Sequence, residues 1–308
     1  MGDWIQALDQ ASIPFFIWLQ GFQTDGLTSV MRFFSYLGTE YFFMLLLPLL
    51  YWTLSKRWGM MVAFSLVFSS YFVGVIKWTF NIPRPPSPPV NVLWTETSPS
   101  FVSGHSATAM AVWGTLASLV RRVWFWIIAA FLIFAIGFSR LYLGVHYPAD
   151  VIGGWLLGLV VAWAVLALVP RLGPVVKEWS AGKMLLAALA LALIMVFIHP
   201  RWPKENLWPA PNAVQLGGLL FGMLAGLVWD VKSLDFQATG PWGKRLLRLL
   251  LGLILMAIFY LVPKIILDQM GITSYPVEQS LRFLRYGLVG FVVSGLGPWL
   301  FARVRLAD

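Results

Sequence analysis

Residues 123–138 read VWFWIIAAFLIFAIGF and contain neither a charged side chain nor a proline. Arg121 and Arg122 come directly before this stretch, and Ser139 and Arg140 follow it. A helix needs roughly 20 residues to cross ~30 Å of hydrocarbon, a length that this stretch reaches with its flanks. The sequence therefore predicts a membrane-spanning helix here, with the paired arginines at one end.

The composition of the whole chain favours the same interpretation. Of its 308 residues, 59% are hydrophobic and 11% are charged, whereas soluble domains carry about 25% charged residues. Apolar runs of spanning length recur near residues 38–54, 58–76, 105–120, 123–138, 150–169, 184–199, 213–229, 246–263 and 283–301. We therefore expect an all-α fold, a polytopic membrane bundle of about nine transmembrane helices.

Residues 3–35 mix apolar and polar positions, and we expect them to form amphipathic helices at the membrane interface. The sequence thus predicts an interfacial segment over 1–37, a transmembrane core over 38–170 and C-terminal transmembrane helices over 171–308. The last region has small residues at helical spacing, which favour close helix packing, and a homodimer through this face is one alternative. These residues are Gly217, Gly218, Gly222 and Gly226.

The positions of Lys and Arg predict the orientation of the chain. If the junction at residues 54–58 is cytoplasmic, more than half of the 22 basic residues share that side, and the N-terminus lies outside. The net charge of +9 then reflects membrane topology, so we do not expect nucleic-acid binding. The cytoplasmic group comprises Lys56, Arg57, Arg121, Arg122, Arg171, Lys177, Lys183, Lys232, Lys244, Arg245, Arg248, Arg303 and Arg305.

Three polar clusters interrupt the apolar chain, and all three fall on the predicted outer side. They are KWTFNIPRP at residues 77–85, SGH at 103–105 and SRLYLGVHYPAD at 139–150. A lone Lys or Arg at a helix end is commonly an interfacial anchor. Here, however, three cations accompany two of the three histidines in the chain. We therefore expect the clusters to form one site.

The first two clusters contain groups that suit an oxyanion. Arginine can bind phosphate oxygens in pairs, and the three cations are Lys77, Arg84 and Arg140. Ser103 and Gly104 precede a predicted helix, whose free N–H groups favour an anion. His105 follows them directly and could protonate a leaving oxygen there.

His146 and Asp150 are four residues apart, and Pro148 between them suits the first turn of a helix. A carboxylate at this spacing can accept a hydrogen bond from one ring nitrogen and leave the other free to attack. The alternative is that the pair merely caps the helix.

Together the clusters resemble the pattern K-x6-RP, PSGH and SR-x5-H-x3-D of the type-2 phosphatidic acid phosphatase superfamily. This family includes lipid phosphate phosphatases, glucose-6-phosphatase and the vanadium haloperoxidases. The resemblance covers roughly residues 58–169. One position departs from the pattern, because Val102 stands where the family usually has a proline that shapes the loop.

The resemblance implies a role for each residue of the clusters. His146 would be the nucleophile that forms a phosphohistidine, Asp150 would orient it, and His105 would be the general acid. The phosphoryl oxygens would be held by Lys77, Arg84, Ser103, the backbone of Gly104, and Arg140. Ser139 would support the loop, and neither a metal nor a cofactor is implied.

The sequence PRPPSPPV at residues 83–90 resembles the PRPSSPPV stretch of sphingosine-1-phosphate phosphatases. We therefore expect a multi-pass enzyme that hydrolyses a lipid phosphomonoester, sphingoid base 1-phosphate first, at an extracytoplasmic or lumenal site among membrane lipids. Several alternatives stay open: an isoprenoid diphosphate, phosphatidate or phosphatidylglycerophosphate phosphatase, a lipid phosphotransferase, and a non-catalytic lipid transporter.

The predicted orientation can be tested with a single introduced thiol, because the chain contains no cysteine. We expect Val92→Cys to react with a membrane-impermeant thiol reagent added from the extracytoplasmic side of sealed vesicles. A cysteine at position 57 is the control for the opposite side. Labelling of position 92 from the cytoplasmic side alone would overturn the orientation.

Overall fold

A computed structural model describes residues 11–200 and 208–307, so the start of the predicted interfacial segment lies outside the described residues. Within these ranges the chain forms helices and no strands. The helices are α1 (Ile13–Gln20), α2 (Asp25–Tyr36), α3 (Glu40–Leu49), α4 (Lys56–Phe80), α5 (Gly104–Val120), α6 (Val123–Tyr142), α7 (Pro148–Lys177), α8 (Ala181–Ile198), α9 (Pro211–Trp229), α10 (Trp242–Gln269), α11 (Tyr275–Phe291) and α12 (Gly297–Arg303). Leu50–Leu54, Asp230–Leu234 and Val292–Leu296 form π-helical turns.

Seven helices in the described ranges are long and apolar enough to cross a membrane. An eighth span results if Asp25–Tyr36 and Glu40–Leu54, which are bent by 53° relative to each other, form one broken span. The chain is therefore a multi-pass integral membrane protein, as predicted. The predicted count of about nine included a span at 105–120. Helix α5 there has only 17 residues, which is about 25 Å of helix.

The chain divides into two compact units. The first comprises the residues up to Met44 together with Met61–Ala167, and the second comprises Leu45–Met60 together with the residues from Leu168 onward. The three polar clusters of the sequence all lie in the first unit.

Close contact between α5 and α7 organises the first unit. A Cβ atom added at Gly154 would lie 2.6 Å from the carbonyl oxygen of Ser103, and one at Gly158 would lie 2.3 Å from that of Ala107. The backbones of the two helices can approach this closely because these positions carry no side chain. The packing holds the first turn of α5 against the first turns of α7.

The N-terminal helices also pack within the first unit. Leu19 of α1 belongs to a buried cluster with Tyr142, Leu143 and Val145. In α2 the hydroxyl of Thr28 lies 3.1 Å from the hydroxyl of Tyr142. Helices α1 and α2 therefore cover the loop that joins α6 to α7, while their position at a membrane interface stays a prediction.

In the second unit, α9 and α11 pack through small residues, as the glycine spacing predicted. A Cβ atom added at Gly222 would lie 1.8 Å from the carbonyl oxygen of Gly287. The same unit contains an ion pair between Lys56 and the fully buried Asp230. Asp230 also accepts a hydrogen bond from the amide of Phe236, at 2.9 Å.

The contact between α5 and α7 predicts the effect of a one-methyl substitution. We expect Gly158→Ala to lower the free energy of unfolding by about 1–3 kcal/mol, as overpacking usually does. Intrinsic tryptophan fluorescence during heating in detergent would measure the change. Gly173→Ala on the same helix is the control, because a Cβ atom there meets nothing within 4 Å. Equal melting temperatures for both variants would contradict the prediction.

Candidate active site

Two loops of the first unit meet at the polar clusters. The amide of Leu93, in the loop between α4 and α5, donates to the carbonyl oxygen of Leu143 at 3.0 Å. Gly144 follows with a φ of +70°, and a Cβ atom there would lie 2.6 Å from the carbonyl oxygen of Asn91. A glycine is required here both by the left-handed backbone and by the close approach of the second loop.

His146 and Asp150 form the centre of the site. Nδ1 of His146 lies 3.1 Å from Oδ2 of Asp150. The same oxygen accepts hydrogen bonds from the amide of Tyr147, at 2.9 Å, and from the hydroxyl of Ser100. Because a carboxylate only accepts, Nδ1 carries the proton and Nε2 presents its lone pair. Asp150 therefore caps the start of α7 and orients the imidazole at the same time.

Arg84 binds the other side of the imidazole. Its Nη1 donates to Nε2 of His146 at 3.2 Å and to the carbonyl oxygen of Val145 at 2.6 Å. Its Nε donates to the carbonyl oxygen of Ser98 at 2.7 Å. The guanidinium is thus fixed by backbone oxygens next to the free nitrogen of the histidine.

Lys77 is buried at the end of α4 and binds the loop in front of α5. Its ammonium group donates to the carbonyl oxygens of Pro99 and of Ser100, the latter at 3.1 Å. The hydroxyl of Ser100 also donates to Asp150, so Ser100 contacts both Lys77 and Asp150. This places the first predicted cation beside the His146–Asp150 pair.

Arg140 is linked to Arg84 by the carboxylate of Glu96, a residue that the sequence did not predict to be in the site. Its Nη2 forms an ion pair with Oε1 of Glu96, whose Oε2 lies 3.5 Å from Nη2 of Arg84. Its Nη1 donates to the hydroxyl of Ser35 in α2. The guanidinium also lies over the ring of Trp94, 5.6 Å from the ring centre.

The start of α5 is held against α7 by Ser103. Its amide donates to the carbonyl oxygen of Asp150 at 3.0 Å, and its hydroxyl accepts from the hydroxyl of Ser106 at 3.0 Å. Gly104 is the first residue of the helix, where amides have no intrahelical acceptor. Nε2 of His105 is buried and has no hydrogen-bond partner among the described residues.

The side chain of Ser139 bonds to its own helix. It is fully buried, and its hydroxyl donates to the carbonyl oxygen of Ile136, one turn earlier in α6, at 2.7 Å. Its hydroxyl therefore bonds within its own helix, and the supporting role expected for Ser139 stays a prediction.

Glu96, Ser100 and Ser35 are the site residues that the sequence interpretation missed. One signal could have identified Glu96, because it is the only acidic residue in the loop 81–103. A lone carboxylate between buried cations is expected to pair with them. Nothing in the spacing of the sequence indicates Ser35, which lies 105 residues from Arg140.

The electrostatics of the site favour a neutral imidazole at His146 and a bound anion. Burial lowers the pKa of His146 well below its ordinary value, and Lys77, Arg84, Arg140 and His105 lower it further. Burial also lowers the pKa of Arg84, whereas Glu96 and Asp150 raise it. Among the described residues, no group of three or more His, Cys, Asp or Glu side chains is placed to hold a metal. The arrangement offers a nucleophilic nitrogen beside several cations.

The lowered pKa of His146 predicts how its ring titrates. At pH 6 an ordinary histidine, with a pKa of about 6.5, is mostly protonated. We expect His146 to stay neutral at this pH, because burial and the nearby cations oppose its protonation. Nitrogen NMR of histidine-labelled protein in detergent would measure the state, with His146→Gln to assign the signal. A midpoint near pH 6.5 would contradict the prediction.

Comparison with known proteins tests the family resemblance independently of the site geometry. The family model of the PAP2 superfamily matches residues 58–174. The model of the PAP2 superfamily phosphatase transmembrane extension matches residues 214–308. The two matches fall on the polar clusters and on the C-terminal helices.

Three relatives illustrate the similarity. A probable sphingosine-1-phosphate phosphatase of Dictyostelium discoideum is 27% identical over 71% of this chain, and the chain spans 57% of the length of that protein. Sphingosine-1-phosphate phosphatase 1 of Mus musculus is 25% identical over 88% of this chain and 71% of its own. An undecaprenyl-diphosphatase of Sulfolobus acidocaldarius is 31% identical over 44% of this chain and 68% of its own. With the family motifs and these matches in place, the chain belongs to the PAP2 superfamily.

Proposed function

We propose that this protein is an integral-membrane lipid phosphatase that hydrolyses a phosphomonoester through a phosphohistidine on His146. The observation that carries the proposal is the orientation of the imidazole: Nδ1 donates to Asp150, and Nε2 faces Arg84. A neutral imidazole held in this way is a nucleophile. The cations beside it can neutralise the negative charge of a phosphoryl group during its transfer.

In the first step, the lone pair on Nε2 of His146 forms a bond to phosphorus. The bond between phosphorus and the lipid oxygen breaks, and the leaving oxygen takes a proton from His105. Burial lowers the pKa of His105 in the free protein, and the negative charge of the bound phosphate favours its protonated form in the complex. Asp150 accepts a hydrogen bond from Nδ1 and stabilises the positive charge that develops on the ring. The Nη1 group of Arg84, which occupies Nε2 in the free protein, moves to a phosphoryl oxygen.

In the second step, water attacks the phosphohistidine. His105, now neutral, accepts a proton from the water as the new phosphorus–oxygen bond forms. The bond between phosphorus and Nε2 breaks, and inorganic phosphate leaves. The two steps return His105 and His146 to their starting states.

The phosphoryl oxygens are held by the cations Lys77, Arg84 and Arg140 together with the amide of Gly104 at the start of α5. Ser103 contributes by fixing this helix start, because its own amide and hydroxyl are engaged within the free protein. Ser139 stabilises the end of α6 next to Arg140, through the hydrogen bond from its hydroxyl to the carbonyl oxygen of Ile136.

The substrate in this proposal is a long-chain lipid monophosphate, with a sphingoid base 1-phosphate first. Two observations support it: the PRPPSPPV stretch at residues 83–90 and the names of the Dictyostelium and mouse relatives. The headgroup would bind at the extracytoplasmic or lumenal side, and the lipid tail would stay among the membrane helices.

A second candidate function is hydrolysis of an isoprenoid diphosphate. The 31% identity to the undecaprenyl-diphosphatase of Sulfolobus acidocaldarius favours it. Both functions use the same nucleophile, so the choice between them depends on the substrate alone.

Phosphate release by the purified protein tests the proposal. The substrate panel contains sphingosine 1-phosphate, phosphatidate, phosphatidylglycerophosphate and undecaprenyl diphosphate, and we expect the highest kcat/KM for sphingosine 1-phosphate. His146→Ala should lower kcat by about 1,000-fold or more, the scale seen when a covalent nucleophile is removed.

His199→Gln is the matched control, because His199 is a buried histidine in the second unit, and this variant should keep its activity. Full activity of His146→Ala would refute the assigned nucleophile. Preference for undecaprenyl diphosphate would favour the second function.

A further inference from the structure

Glu96 is the anion that joins the two arginines of the site. Its Oε1 pairs with Nη2 of Arg140, and its Oε2 lies 3.5 Å from Nη2 of Arg84. The side chain of Glu96 is 21% exposed, whereas that of Arg140 is fully buried and that of Arg84 is 16% exposed. The carboxylate therefore sits at the open edge of a largely buried pair of cations.

Most other donors of the two guanidinium groups are directed to the protein itself, while Nε of Arg140 has no hydrogen-bond partner among the described residues. Nε and Nη1 of Arg84 donate to the carbonyl oxygens of Ser98 and Val145. Nη1 of Arg140 donates to the hydroxyl of Ser35. These bonds fix both side chains. Both Nη2 groups face Glu96, and Nη2 of Arg84 also donates to the hydroxyl of Ser98 at 3.2 Å and to the carbonyl oxygen of Pro99 at 3.4 Å.

A carboxylate and a phosphate compete for such a pair, because both present oxygens that match the guanidinium fork. Two buried cations without any anion would be unfavourable, so the free protein needs a counter-ion there. A phosphate dianion carries more charge than Glu96 and can displace it.

We propose that Glu96 is an internal counter-ion that occupies the Arg84–Arg140 pair in the free enzyme and gives it up to the phosphate of the substrate. This inference rests on the function proposed above. Glu96 then sets how tightly phosphate is held, because it competes with substrate and with the inorganic phosphate product for the same two donors. Return of the carboxylate helps the product to leave. Glu96 thus controls phosphate affinity and takes no part in the chemical steps.

Inhibition by inorganic phosphate is the first test. Glu96→Gln removes the charge and keeps the size of the side chain. We expect it to lower both the inhibition constant for phosphate and the KM for sphingosine 1-phosphate by about tenfold, the minimum usually found for a hydrogen bond to a charged group. The kcat should not rise. Glu278→Gln is the matched control, because Glu278 pairs with Arg282 in the second unit and should leave both constants unchanged.

A merely structural counter-ion predicts the reverse. If Glu96 only holds the arginines in place, Glu96→Gln should raise the inhibition constant and the KM. Either that result or unchanged constants would overturn the proposal.

Thermal unfolding provides a readout that does not depend on turnover. Glu96→Gln should melt at a lower temperature than the unmodified protein without phosphate, and added phosphate should raise its melting temperature by a larger amount. Equal shifts in the two proteins would count against Glu96 as a competitor.

If the unmodified protein hydrolyses no lipid phosphate, the proposed function fails, while the phosphate-dependent shift in melting temperature still decides the role of Glu96.

Discussion

One carboxylate oxygen, Oδ2 of Asp150, accepts hydrogen bonds from Ser100, from the amide of Tyr147 and from Nδ1 of His146. Asp150 is fully buried, and a buried charge is tolerated only where such partners surround it. The three bonds fix the loop in front of α5, the first turn of α7 and the ring of His146. Capping of the helix and orientation of the histidine are therefore one interaction, and the rest of the site is built around it.

Much of the fold and of the site follows from the sequence. Hydropathy predicts the long helices, and the order of charged residues predicts that Lys77, Arg84 and the His146–Asp150 pair come together, since each lies at the end of a predicted span. The predicted count of about nine spans is approximate, because an apolar run such as 105–120 does not show whether lipid or protein surrounds it; the described ranges contain seven candidate spans, or eight with the bent pair. Helix α5 is short and largely buried within the protein, and apolar residues suit that environment as well as they suit lipid.

The contacts that sequence reasoning missed are those made across long separations by irregular segments. Glu96 and Arg140 are 44 residues apart, and Ser35 lies in a helix that amphipathic patterning assigned to the interface alone. Local periodicity fixes which residues share a helix face, but it does not fix how a proline-rich loop folds back. Ser100 reaches Asp150 because that loop returns to its own start just after α4, where the amide of Ser100 donates to the carbonyl oxygen of Ile82.

The contact between the two site loops has an evolutionary consequence. Leu93 bonds to Leu143, and Gly144 leaves no room for a side chain beside Asn91. An insertion or deletion in either loop would shift this register and move Arg84 relative to His146. Insertions and deletions in the two loops are therefore tolerated only when they preserve the pairing of Leu93 with Leu143.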